Sequence, residues 1–144
     1  LQMWIKAQTE PARLLLVEDD VGVRKLVVAA SIGYHCQWDT AATANEGLCL
    51  ARANSYRMML VDVRLGAGMD GFAFLETLRK EGVTTAAVVM SGYADESTLL
   101  RATKIGFLPV VLKPDCLGLG FVREMLTVFG VPKLDGGLSK CQCG

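Results

Sequence analysis

The stretch Leu14-Leu15-Leu16-Val17-Glu18-Asp19-Asp20 decides how the rest of the chain is read. Four apolar residues in succession, cut off by three acids, have the length of a strand and lack the alternation of a strand with one wet face. Continuous apolarity marks a strand covered on both faces, as in a parallel sheet held between layers of helices. Three further runs repeat the pattern: Met58 to Val61, Ala86 to Met90 and Val110 to Leu112, each ending at a polar or turn residue. A weaker run, Tyr34 to Trp38, follows Gly33 and reads as an edge strand.

Helical spacing fills the intervals. Val23, Leu26, Val27 and Ala30 recur at three and four, as do Ala44, Gly47, Leu48 and Ala51, and Phe121, Val122, Met125, Leu126 and Phe129. Phe72, Leu75 and Leu78 mark another helix, and a less periodic one runs from about Asp95 to Ile105. Five strand-then-helix units imply right-handed crossovers and an α/β fold, a three-layer doubly wound five-stranded parallel sheet. Pro109, with no amide hydrogen to donate, stands where the last strand begins and suits an edge. The expected organisation is a leader or linker over 1–12, one domain over 13–130 and a flexible tail over 131–144, which holds Gly136 and Gly137. Met3, Trp4 and Ile5 in the leader are expected to pack on this domain, on a second copy or on a neighbouring domain. Leu1 in place of Met reads as the start of a fragment or of a processed chain.

Composition narrows the function. A chain of 144 residues is long enough to bury a real core, and 51% hydrophobic residues contain no run long enough to span a membrane. Fifteen basic residues balance fifteen acidic ones, leaving no net charge to hold a nucleic acid backbone, so neither nucleic acid nor membrane is an expected partner. Five scattered cysteines, Cys36, Cys49, Cys116, Cys141 and Cys143, fit a reducing cytoplasm better than a disulfide framework. The C-x-C at 141–143 lacks a second pair and a nearby His, and His35 falls in the weak edge strand, so neither reads as a metal or phosphate site.

In an open parallel sheet, ligands bind beyond the carboxyl ends of the strands. There the sequence places Glu18, Asp19 and Asp20 after the first run, Asp62 after the second long run, Ser91 and Gly92 after the third and Lys113 and Pro114 after the fourth. Singly, Asp20 reads as a helix cap, Ser91 and Asp62 as turn residues, and Lys113 as a charge reaching off a strand end. Together, the acids, the hydroxyl and the ammonium suit a hard divalent cation and a phosphoryl group. Mg2+ (or Mn2+) takes oxygen ligands, which Asp19 and Asp62 can provide. A carboxylate such as Asp62 can attack phosphorus once a cation masks repulsion between the two anions, and Lys113 and Ser91 can donate to the phosphoryl oxygens.

The run at 14–20, Leu-Val-Asp-Val-Arg-Leu at 60–65, Met-Asp-Gly at 69–71, Val-Val-Met-Ser-Gly-Tyr at 88–93 and Leu-Lys-Pro at 112–114 resemble the response-regulator receiver family over roughly residues 13 to 129. The resemblance implies a flavodoxin-like fold with strand order 2-1-3-4-5 and a phosphoacceptor that is not itself an enzyme. It implies Asp62 as the acceptor, Glu18 and Asp19 as the acidic pair, Ser91 as the switch hydroxyl and Lys113 as the phosphate-binding lysine. Glu18, Asp19, Asp62 and the backbone carbonyl of Arg64 would surround the metal, and Pro114 would follow a cis peptide that aims Lys113. The implied partners are a histidine kinase or histidine phosphotransferase and a downstream protein target, and a homodimer is also compatible. Two departures stand out. The loop Arg64 to Gly68 is one residue longer than usual and lacks the common proline, and Val110 replaces a ring that moves with the hydroxyl in many receivers. Tyr93 and Phe107 are the aromatic candidates to substitute, although packing is the better account of both.

Rival readings fail on particular residues. A phosphatase of the haloacid-dehalogenase kind needs a second Asp two positions after its nucleophile, where this chain has Arg64. A flavin or nucleotide binder needs a Gly- or Ser/Thr-rich loop after the first strand, where Glu18, Asp19 and Asp20 would repel phosphate. A receiver that has lost phosphorylation and only docks is disfavoured by the complete set of site residues.

Overall fold

A computed structural model describes residues 10–66, 68–92, 95–106, 109–113 and 117–134. The leader residues Met3, Trp4 and Ile5, together with Tyr93, Phe107, Pro114, Cys116, Cys141, Cys143 and the tail beyond residue 134, lie outside the described residues. Strands and helices alternate throughout: β1 (Ala12–Val17), α1 (Val21–Ala30), β2 (Cys36–Ala41), α2 (Ala44–Ala53), β3 (Met58–Asp62), α3 (Gly71–Lys80), β4 (Ala86–Ser91), α4 (Glu96–Gly106), β5 (Val110–Leu112) and α5 (Leu119–Val128). The five strands form one parallel sheet in the order β2-β1-β3-β4-β5. Both the fold class and the strand order therefore match the expectation.

Continuous apolarity is explained by burial on both sheet faces. Leu15, Val17, Met59, Val61 and Val89 point to one face, where α2, α3 and α4 contribute Leu48, Phe72, Phe74, Leu75, Leu78 and Ala102. Leu14, Leu16, Met58, Leu60, Val88 and Met90 point to the other, against Val27 and Ala30 of α1 and Val122, Met125 and Leu126 of α5. The period of two within each strand sorts its residues between these cores.

Helix starts follow local chemistry. The Asp20 carboxylate accepts from the Val23 amide, as the cap reading requires, Thr43 accepts from Glu46, and Asp70 accepts from Ala73. Anchorage is uneven, however. Phe72, Phe74, Leu75 and Leu78 of α3 are each buried, worth roughly 1.5–3 kcal/mol apiece. Ala102 is the one buried residue of α4.

The edge strand differs from expectation. It begins at Cys36 and runs through Asp39 and Thr40, because the chain turns at Gly33, whose φ is 97°, and Tyr34 pairs instead with Lys133 in an antiparallel bridge. Polar Asp39 is accommodated by Arg13 of β1 and by the Tyr56 hydroxyl. Of the segment expected to be tail, residues 131–134 lie against the domain: Val131 is buried, His35 N donates to Pro132 O at 2.7 Å, and Leu134 N donates to Gly33 O at 2.8 Å. No helix of the described residues is long and apolar enough to cross a membrane.

Candidate functional site

In-register parallel pairing carries the carboxyl ends of β1, β3, β4 and β5 to one edge. Val17 lies beside Val61, Asp62 beside Met90, and Ser91 beside Leu112. Each strand's next residue or last residue is then a polar one facing a shared cleft. Glu18 is fully buried, Asp62 and Ser91 are nearly so, and Asp19 is exposed at the rim.

Lys113 joins two of the acids. Its Nζ donates to Glu18 Oε1 at 2.6 Å and stands 3.1 Å from Asp62 Oδ2. Its own amide donates to the Ser91 carbonyl at 2.9 Å, which ties the β5 end to the β4 end. Carboxylate oxygens of Glu18, Asp19 and Asp62 all lie within 4.8 Å of one another. The Arg64 amide donates to Asp62 Oδ1 at 3.3 Å, so the loop after β3 turns back toward the Asp62 carboxylate. Arg24 Nη1 donates to the Glu18 carbonyl at 2.7 Å and holds the β1 end from α1.

Electrostatics follow from this crowding. Burial, reinforced by the hydrogen bond and charge of Asp62, pushes the Glu18 carboxyl up to about 8, although Lys113 pulls it down. Burial also works against the Lys113 ammonium, yet its hydrogen bonds to Glu18 and Asp62 and their charges hold it above the usual lysine value. The cleft thus concentrates more negative charge than one ammonium offsets. Three hard oxygen donors gathered this closely are the ligand type that magnesium takes.

The structure brings together Glu18, Asp19, Asp62 and Lys113 by side chain, and Ser91 and Arg64 by backbone contacts to that group. His35 lies at the opposite end of the sheet, where its carbonyl accepts from Ala12 N at the start of β1. Sequence reasoning picked out Asp70 and Gly71 only within the Met-Asp-Gly match and missed how they support the loop. Gly71 sits so close to Asp62 that a Cβ there would lie 2.1 Å from the Asp62 carbonyl oxygen, and its amide donates to Val63 O at 2.8 Å. Asp70, besides capping α3, accepts from Arg101 of α4 at 2.8 Å. The glycine after an Asp cap was the available signal for the first, and nothing local signalled the second.

Residues 14–117 match the family model of the response regulator receiver domain. Among curated proteins, the chain is 34% identical over 101 residues to the photosynthetic apparatus regulatory protein RegA of Cereibacter sphaeroides, covering 70% of this chain and 54% of that protein. It is 29% identical over 101 residues to the acid tolerance regulatory protein ActR of Sinorhizobium medicae, covering 70% and 52% respectively. The chain therefore spans about half the length of these relatives. The chemotaxis protein CheY4 of Vibrio cholerae shares its fold, with a TM-score of 0.74 at 20% identity over 83% of this chain and 98% of that one.

Proposed function

Because this chain belongs to the response regulator receiver family of two-component signalling, we propose that Asp62 accepts a phosphoryl group from a histidine kinase or a histidine phosphotransferase. The observation that carries this reading is Lys113 Nζ placed between Glu18 and Asp62 at the sheet's carboxyl edge. An ammonium already bonded to the acceptor carboxylate is positioned to follow its oxygens as they gain charge.

Asp62 Oδ attacks the phosphorus of a phosphohistidine, the P–N bond breaks, and the imidazole leaves with the bonding pair and takes up a proton. Glu18, Asp19, Asp62 and the Arg64 carbonyl would hold Mg2+ (or Mn2+), which supplies neutralisation of the approaching anions. Lys113 and the Ser91 hydroxyl donate to the transferred oxygens, and the buried surroundings of Asp62 limit attack by water. The domain is a phosphoacceptor and not a conventional enzyme. Its phosphorylation switches binding of a downstream protein target between two packings of the region after β4. We take the receiver as 13–130 extended by Ala12, which opens β1, and by 131–134, which pack against it, and the cytoplasm as its location; a homodimer is one assembly in which the switch would be read.

The test is to incubate the protein with acetyl phosphate and magnesium and to measure intact mass. One phosphoryl adduct, lost in Asp62→Asn and without magnesium, is the expected result. An adduct that persists in Asp62→Asn overturns the assignment.

A further inference from the structure

The least anchored helix is also the one tied to the acceptor loop by charge. In α4, Leu99 and Leu100 are 49% and 53% exposed, and Ala102 is the buried residue. Arg101, next to it, grips α3 at three points. Its Nη1 donates to Asp70 Oδ2 at 2.8 Å and its Nη2 to Asp70 Oδ1 at 3.3 Å. Nη2 also stands 3.6 Å from Glu76 Oε1, and the guanidinium lies 4.9 Å from the centroid of the Phe72 ring. A two-pronged bond to a carboxylate combined with a ring contact is a geometry that a lysine does not reproduce.

Asp70 is the residue through which this grip reaches the site. It caps α3 through the Ala73 amide at 2.8 Å, and its neighbour Gly71 abuts the Asp62 carbonyl and bonds to Val63. The 2.8 Å bond from the Gly71 amide to Val63 O couples the two backbones, so a displacement of the Asp62 and Val63 backbone is passed to Gly71 and Asp70. A two-pronged bond of this kind depends on distance and angle, so it breaks on small displacements.

We propose that Arg101 is a positioning residue that latches α4 to the acceptor loop through Asp70, so that phosphorylation at Asp62 releases α4. This rests on the reading of Asp62 as acceptor. The latch explains how a helix with one buried alanine holds its place, and why its hold is conditional on the state of the site.

Amide hydrogen exchange across α4 tests it, in wild type, Arg101→Gln, Asp70→Asn, the double variant and Arg101→Lys. Each is measured before and after acetyl phosphate with magnesium, with adduct occupancy read by intact mass. Asn caps a helix as well as Asp, so Asp70→Asn removes the ion pair and leaves the cap. Before donor, Arg101→Gln and Asp70→Asn each speed α4 exchange by about fivefold, the upper range for an exposed pair. The double variant gains nothing more, Arg101→Lys recovers part, and the amides of β1 and β3 are unchanged. Phosphorylated wild type shows the same faster α4 exchange, and the variants respond no further. Wild-type α4 exchange in Arg101→Gln overturns the latch, as does a variant whose α4 responds to phosphorylation as fully as wild type. Absence of any adduct on wild type overturns the acceptor reading and with it the release step, while the donor-free variants still judge the latch itself.

Discussion

Replacing Gly71 by Ala puts one methyl group against the backbone of Asp62, the proposed acceptor. The added carbon would lie 2.1 Å from Asp62 O, 2.9 Å from Asp62 C and 2.9 Å from Val61 Cγ1, where contacts under 3.0 Å are essentially never found. The obstacle is main chain at the end of a central strand, which no rotamer change relieves, so the α3 start or the Asp62 peptide must move by about 1 Å. Overpacking of this kind costs about 1–3 kcal/mol, and the better helix propensity of Ala returns about 0.5–1 kcal/mol. Because the obstacle is main chain, the cost falls in the upper half of its range, and the net loss of about 1–2 kcal/mol lowers the midpoint of thermal unfolding by about 4–8 °C for a domain of this size. Gly120 is the control. It is also near the start of a helix, but a Cβ there meets nothing within 4 Å, so Gly120→Ala stabilises by about 0.5–1 kcal/mol. Differential scanning calorimetry on both variants reads the opposite signs. A displacement of about 1 Å at the acceptor also slows phosphorylation by acetyl phosphate on the order of 10- to 100-fold in Gly71→Ala and leaves Gly120→Ala at the wild-type rate. A Gly71→Ala protein with the wild-type midpoint and the wild-type rate refutes the close approach and the rigidity inferred from it.

Lys113→Met removes the hydrogen bond and charge that hold Glu18 down, so the Glu18 carboxyl moves above about 8, followed by carbon-13 titration, and adduct formation falls about 10²–10³-fold. Below about pH 8 the Glu18 proton must leave for a cation to bind, so magnesium affinity weakens by about tenfold per pH unit as pH falls from that value. Calorimetry in buffers of different ionisation enthalpy shows the released proton, and an affinity independent of pH between about 6 and 8 would falsify the coupling. Burial and the 2.6 Å bond to Asp39 push the Tyr56 phenol from 10.0 up to about 12. The unfolded chain loses that proton first, so the stabilising contribution is complete below pH 10 and declines as pH rises toward 12. Tyr56→Phe costs about 1 kcal/mol at neutral pH and flattens the alkaline decline, measured by urea midpoints on either side of pH 10; an unchanged decline sinks the assignment.

How much of this was legible in the sequence depended on whether one residue answered to one demand. Leu14 to Val17, Met58 to Val61 and Ala86 to Met90 have no polar member because both sides of each strand are covered, so their identity as central strands followed from composition alone. The edge strand was misplaced because Asp39 and Thr40 look like loop, and the partners that make Asp39 tolerable, Arg13 of β1 and Tyr56 just before β3, come from elsewhere in the chain. The candidate site residues were legible for a geometric reason: parallel register brings strand ends to one edge, so residues after apolar runs converge without any contact having to be known.

What stayed hidden was the second duty of residues whose first duty was local. Asp70 satisfies the Ala73 amide, which accounts for an Asp before a helix and gives no sign that its carboxylate is also held by a guanidinium 31 residues later. Gly71 reads as a helix start, and only the approach of the Asp62 carbonyl shows that a side chain is forbidden there. Lys113 reads as a charge near a strand end, but its ammonium is shared with a fully buried glutamate 95 residues away, which is what makes Glu18 tolerable in the core at all. Each hidden duty links Asp62, the proposed acceptor, to a different element, β1 through Lys113 and Glu18, and α3 and then α4 through Gly71, Asp70 and Arg101. Local sequence rules therefore find the group that would react, whereas the route by which its state reaches α4 lies in pairings that only the fold creates.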